Sequence, residues 1–131
     1  MVREQVRMMR SVEDLLDLSG RRALVTGGAG HIGLAVGEVL AEMGARISIV
    51  DIDAKACEER VETLSHIRHA SAIPMPCNLL DETDTRRAIR ETIREFGGLD
   101  ILIHCAAYVG TTQSPGWAVP FDEQSISAWY A

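Results

Sequence analysis

Four short apolar runs, separated by amphipathic stretches, constrain this chain more than any other feature. Arg22–Thr26, Arg46–Asp51, Ser71–Cys77 and Asp100–Ala107 have strand length and an aliphatic bias. The stretches between them repeat their apolar residues at helical spacing. Strands that alternate with helices pair in parallel, because each helix carries the chain back to the same end of the sheet. The order is therefore β-α-β-α-β-α-β. Right-handed crossovers predict a doubly wound α/β sheet with strand order 3-2-1-4, truncated after its fourth strand.

Local chemistry places the helix ends. Ile32, Val36, Val39, Leu40 and Met43 mark the first long helix, with Glu38 and Glu42 on its other face and Gly44 as its stop. Asp53 is positioned to cap a second helix with apolar positions Ala54, Cys57, Val61 and Leu64. Asp81 caps a third, whose buried face is expected at Thr85, Ile89, Ile93 and Phe96, and Gly97-Gly98 ends it. Pro74 and Pro76 cannot donate to a ladder, which puts their strand at an edge. Tyr108 to Phe121 reads as a loop, and Ser125 opens a last helix of barely two turns before Ala131. Residues 1–17 form an N-terminal extension, in which Ser11 and Asp14 resemble a capping box for a short turn of helix at 11–18.

Thr26-Gly-Gly-Ala-Gly-His-Ile-Gly33 joins the first strand to the first long helix. A phosphate-binding turn at such a junction needs a tight reversal, close approach of backbone to a pyrophosphate, and a helix N-terminus aimed at the anion. Gly27 and Gly28 suit the reversal, Gly30 the approach, and Gly33 close packing of the helix on the sheet. The backbone of Ala29, His31 and Ile32 would complete the cradle. The same glycines also suit a tight loop with no ligand. Context favours the ligand, because Asp51 ends the second strand at about the 20-residue spacing of Rossmann-like sites. A carboxylate there accepts hydrogen bonds from both hydroxyls of an adenosine ribose, with Ile52 beside it, and repels a 2′-phosphate. The expected cofactor is NAD(H) and not NADP(H); the alternative for Asp51 is a helix cap or solvated turn. For His31 two positions are open, over the phosphates or in solvent.

Composition sets the remaining bounds. The chain has 131 residues, 47% of them hydrophobic, which is one globular domain's worth. No apolar run is long enough to span a membrane, and the Arg-bearing first ten residues lack a signal-peptide core. A net charge of −6 argues against nucleic acid as partner. Three scattered cysteines, Cys57, Cys77 and Cys105, fit a reducing cytoplasm with no disulfide frame. Cys57 and Cys77 read as core packing.

The sequence resembles the short-chain dehydrogenase/reductase family over residues 18–131. The similarity is carried by Leu18-Ser-Gly-Arg-Arg-Ala-Leu-Val-Thr-Gly-Gly28, by the glycine motif with Asp51, and by Phe96-Gly-Gly-Leu-Asp-Ile-Leu-Ile103. The resemblance implies that residues 18–131 are the N-terminal, dinucleotide-binding part of a single Rossmann-fold domain. It implies contacts to adenine from Asn78 and Leu79, where the family carries an acidic motif; Asn78 serves equally to close a turn. It implies backbone approach to the ribose at Cys105, Ala106 and Ala107, where His104-Cys-Ala-Ala107 replaces the usual Asn-Asn-Ala-Gly. The glycine spacing looks like the family's extended branch. The long Asp81–Phe96 helix and the Pro120–Trp129 stretch look like its compact branch, which element lengths favour.

The family's reaction is hydride transfer between nicotinamide and an alcohol or carbonyl substrate, with a Tyr-x-x-x-Lys pair and a serine at the reacting oxygen. No such pair exists in this sequence. Lys55 is its single lysine, against twelve arginines, and Tyr108 is followed at i+4 by Thr112. His104 and Cys105 are neighbours on a strand and face opposite sides, so they form no dyad. The chain alone is therefore expected to bind NAD(H) and not to turn it over. The alternatives are a non-catalytic NAD(H)-binding module or sensor, and an assembly fragment that holds no cofactor. A raw sheet edge and a truncated last helix suggest a homo-oligomer formed through them.

Overall fold

The computed structural model describes residues 11–67, 70–107 and 119–126. Its elements are α1 (Val12–Leu16), β1 (Arg22–Thr26), α2 (His31–Glu42), β2 (Arg46–Asp51), α3 (Ala54–Ser65), β3 (Ser71–Pro76), α4 (Glu82–Phe96), β4 (Ile101–His104) and a 3-10 turn at Phe121–Glu123. The strands are parallel in the order β3-β2-β1-β4. This is the expected doubly wound, Rossmann-like sheet, with proline-bearing β3 at one edge and β4 at the other. Trp117, Trp129, Tyr108 and the body of the expected last helix lie outside the described residues.

The two central strands, β1 and β2, are buried on both faces. On one, Ala23, Val25, Ile47 and Ile49 pack against Leu40 and Ala41 of α2 and Cys57 and Leu64 of α3. On the other, Leu24, Val50 and Met75 meet Ala88 of α4 and Cys77. Removing Ile47 or Ile49 from water contributes about 1.5–3 kcal/mol each. One polar pair lies inside: the Thr92 hydroxyl donates to Ser48 Oγ at 3.0 Å, and both residues are fully buried. That bond satisfies groups whose burial would otherwise be costly.

Capping follows the sequence closely. Ser11 Oγ accepts from the Asp14 N–H while Asp14 accepts from the Ser11 N–H. Asp53 caps α3 and Asp81 caps α4 through their side chains. Gly97 closes α4 in the left-handed region at φ 79°.

Two helix faces differ from expectation. In α2 the buried residues are Gly33, Gly37, Leu40 and Ala41, while Ile32 and Val39 are exposed. Gly37 lets the helix backbone settle over Ile49 of the sheet and Leu64 of α3, which rotates the larger side chains outward. In α4 the buried stripe is Ala88, Thr92 and Phe96, and Ile89 and Ile93 stand half exposed. Leu102 lies beside Leu24 in register on the same sheet face and is 65% exposed. Strand β4 thus carries uncovered apolar surface on the α4 side. On its other side a groove is lined by Ile32, Ala35, Val36, Val39 and Ile103.

The end of the sheet away from the strand C-termini is tied by Arg22 and Asp100. Arg22 donates to both Asp100 oxygens, from Nε at 2.7 Å and Nη2 at 2.9 Å, and from its backbone N–H at 2.9 Å. The Arg22 side-chain bonds, then its backbone bond, hold the Asp100 carboxyl well below the ordinary carboxylate value of 3.8, at about 2. A depressed folded-state pKa stabilises above the unfolded value, and that stability is lost as pH falls from 3.8 towards 2. Asp100→Asn is expected to flatten the acid limb of the stability–pH profile in that window. An unchanged limb in urea titrations at several pH values would remove Asp100 as its cause.

Candidate functional site

The C-terminal ends of four parallel strands converge on one rim, where open α/β sheets bind ligands. Each expected site residue is placed there except where noted. Thr26 ends β1, and the chain turns at Gly27 with φ 63°. A Cβ on Gly27 would stand 2.6 Å from the Ala106 nitrogen and 2.8 Å from the Cys105 carbonyl carbon. The glycine turn is thus pressed against the segment leaving β4. Gly28, expected to share the reversal, does not have positive φ. It is bare for another reason: a Cβ there would meet the Val25 oxygen at 2.9 Å and Ile49 Cγ2 at 3.0 Å. Gly33 was expected to fit the helix to the sheet. Its hydrogen-bearing face instead lies against the turn itself, where a Cβ would strike the Gly27 oxygen and approach Gly28 Cα to 2.6 Å. Gly30 caps α2, and a Cβ there would meet only the Gly27 oxygen at 3.3 Å. The result is a bare backbone cradle at the α2 N-terminus, which fits an anion such as a pyrophosphate.

Ala29 is buried in this turn, and its N–H donates to Asp51 Oδ2 at 3.1 Å. Asp51 Oδ1 accepts from the Ile52 N–H at 2.8 Å. The carboxylate is therefore oriented by backbone at the mouth of the turn. It does not cap α3; that role belongs to Asp53. His31 and Ile32 begin α2 with exposed side chains, and both also border the apolar groove beside β4. Ile52 is 71% exposed beside Asp51.

Asn78 follows β3, and its side-chain oxygen accepts from the Leu80 N–H at 3.1 Å, closing a turn. Its own N–H donates to Asp84 at 2.8 Å. That bond, ahead of the one from Arg87, lowers the Asp84 pKa. The Leu79 N–H has no acceptor among the described residues. Strand β4 is shorter than its apolar run. The Cys105 N–H still donates to Thr26 O at 3.0 Å, but the Ala106 N–H turns to the Thr26 hydroxyl at 3.4 Å. Ala106 and Ala107 thereby leave the sheet over the glycine turn.

Two contacts were not legible in the sequence. The Thr26 hydroxyl and His104 Nδ1 lie 2.7 Å apart, so the histidine that replaces an expected asparagine does make a side-chain contact. Arg60 Nε donates to the Ala29 carbonyl at 3.0 Å. Arg60 falls within the apolar stripe of α3, three residues after Cys57 and four before Leu64; a cation there signals a polar partner across the interface. Cys57 lies under the rim, with Sγ 3.9 Å from Asp51 O, and burial raises its pKa, as it does for Cys77. Both are packing thiols. Among the described residues no group of His, Cys, Asp or Glu could hold a metal ion, and no helix is long and apolar enough to cross a membrane.

The comparisons agree with this geometry. The chain is 34% identical over 119 residues to a sorbose reductase of Candida albicans, covering 91% of this chain and 40% of that one. It superposes on a short-chain type dehydrogenase/reductase from Mycobacterium marinum with TM-score 0.74 and 31% identity, over 87% of this chain and 45% of that one. It also superposes on Pseudomonas aeruginosa RhlG in an NADP active-site complex, with TM-score 0.63 and 38% identity, over 70% and 36% of the two chains. The chain spans 34–43% of the length of the curated relatives it matches. The family model of the short chain dehydrogenases matches residues 21–131, which takes in the glycine turn, Asp51 and β4 alike. A parallel 3-2-1-4 sheet, a bare glycine cradle and this match make the chain a member of the short chain dehydrogenase family, Rossmann-like oxidoreductases that bind a nicotinamide cofactor.

Proposed function

We propose that this chain is the NAD(H)-binding part of an oxidoreductase that moves hydride between nicotinamide and an alcohol or carbonyl substrate. The observation that carries the reading is Asp51, whose carboxylate is anchored by the Ala29 and Ile52 N–H groups at the mouth of the glycine turn. Each of its oxygens keeps a lone pair for a ribose hydroxyl. Its charge opposes a 2′-phosphate in the same place. Bound nicotinamide supplies the hydride chemistry; the residues here bind and orient it. Gly27, Ala29, Gly30 and Gly33 hold the pyrophosphate at the α2 N-terminus, with His31 and Ile32 at its first turn. Asn78 and Leu79 flank adenine, and Cys105, Ala106 and Ala107 approach the second ribose.

Binding of NADH and NADPH, followed by calorimetry, tests this. The unaltered chain is expected to prefer NADH by about tenfold or more, and Asp51→Ser to narrow or reverse that preference. Stronger binding of NADPH by the unaltered chain would sink the assignment. A second reading, a binding module without catalysis, draws on Lys55. The chain's one lysine sits 85% exposed on α3 with its ammonium 3.6 Å from Glu59. The 131 residues alone are accordingly expected to bind NADH without oxidising or reducing any alcohol or carbonyl. Turnover by the purified chain would contradict that.

The same reading includes association through β4. Among the described residues that strand is a sheet edge, with Leu102 exposed on one face and the Ile32–Val39–Ile103 groove on the other. Unpaired edge groups beside apolar surface favour pairing with another chain. Sedimentation velocity of the 131-residue chain is expected to show dimers or larger species, with Leu102→Lys shifting them towards monomer. A monomer at all concentrations would remove this part of the proposal.

A further inference from the structure

The geometry points to Arg60 as a second specificity-determining residue at the adenosine end, a cation placed to receive a 2′-phosphate. This rests on the reading above that the glycine turn and the end of β2 hold a dinucleotide. Residue Ala29 is bracketed by opposite charges: its N–H goes to Asp51 Oδ2 at 3.1 Å and its carbonyl accepts from Arg60 Nε at 3.0 Å. One residue, Ala29, therefore links the carboxylate that selects a bare ribose to a guanidinium that favours a phosphorylated one.

Arg60 differs from the arginines held by carboxylates. Arg86, Arg87 and Arg94 are each paired with a carboxylate on α4, and Arg22 with Asp100. Arg60 forms no ion pair among the described residues, although Glu58, Glu59 and Glu62 share its helix. Among the described residues only Nε is engaged, so both terminal nitrogens keep their donors. The residue is also partly buried, held in the stripe of α3 that contains Cys57 and Leu64. A side chain fixed at Nε and unpaired at its fork is pre-organised for bidentate recognition of a phosphate. Asp51 then sets the preference for an unphosphorylated ribose, and Arg60 limits how strong that preference is.

The test uses ADP-ribose and 2′-phospho-ADP-ribose, which carry the adenosine end alone, titrated calorimetrically into the full chain. Four forms are compared: unaltered, Asp51→Ser, Arg60→Gln and the double variant. Glutamine keeps a donor for the Ala29 carbonyl while removing the charge. Asp51→Ser is expected to strengthen 2′-phospho-ADP-ribose about tenfold. Adding Arg60→Gln is expected to reverse that gain by about tenfold while changing ADP-ribose less than about threefold. Arg60→Lys keeps the charge and should retain part of the gain, which guards against a glutamine variant that folds poorly. Equal weakening of both ligands by Arg60→Gln makes Arg60 a brace for the turn and overturns the inference, as does no change in either. If ADP-ribose does not bind but 2′-phospho-ADP-ribose does, and weakens with Arg60→Gln, the Asp51 reading fails and this one stands. If neither probe binds, both fail.

Discussion

Replacing Gly27 with alanine is expected to lower stability by about 2–5 kcal/mol and to abolish measurable NADH binding. Two costs coincide at this residue. Its φ of 63° lies where an L side chain is strained by about 1–2 kcal/mol. Its Cβ would also press on the backbone of Cys105 and Ala106 at 2.6–2.8 Å. Those neighbours are main chain and cannot rotate away, so β4 and the turn must separate. Gly30→Ala provides the contrast. Its Cβ meets one oxygen at 3.3 Å, so stability should change by less than about 1 kcal/mol. If the backbone at Gly30 approaches the pyrophosphate, that variant still loses affinity. Urea denaturation and calorimetry separate the two effects. A Gly27→Ala chain that binds NADH normally would show that the turn is not the phosphate cradle.

The second large effect is expected at Ile49, fully buried on β2 directly beneath the turn. Its Cγ2 stands 3.0 Å from where a Gly28 Cβ would be, and its Cδ1 3.7 Å from that of Gly37. Ile49→Ala leaves a cavity under both the turn and α2, costing about 2–5 kcal/mol. Against a domain stability of roughly 5–15 kcal/mol this is a large fraction. Ile47 is equally buried on the same sheet face but two residues further from the rim. Ile47→Ala should therefore cost similar stability with a smaller loss of affinity for NADH. If both variants lose affinity alike, the packing under the turn has no particular part in binding.

Both experiments probe places where the sequence was only half legible. The glycine motif marked the turn, but which hydrogen atoms mattered depended on what lay opposite them. Gly27 faces Ala106, some 80 residues away in the chain, and no local pattern reveals that neighbour. The amphipathic spacing of α2 and α4 identified them as helices and misjudged their faces. Periodicity reports which residues are apolar, while the contacting face is fixed by how closely the backbone can approach the sheet. In α2 that approach is made through Gly37, so Ile32 and Val39 turn towards the groove beside β4. Arg60 was overlooked because an arginine on a charged helix reads as solvated. Its partner, the Ala29 carbonyl, lies on another element.

The sequence by itself determined the alternation of strands and helices, the caps at Ser11, Asp53 and Asp81, and the edge position of the proline strand. Each follows from short-range sterics or hydrogen bonding, which a few neighbouring residues settle. Only the tertiary structure decided which faces of α2 and α4 are buried. It likewise decided that Asp51 and Arg60 both hold the backbone of Ala29, and that His104 meets Thr26. Those relations join residues of different elements, and parallel pairing of β1 with β2 and β4 is what brings them to one rim.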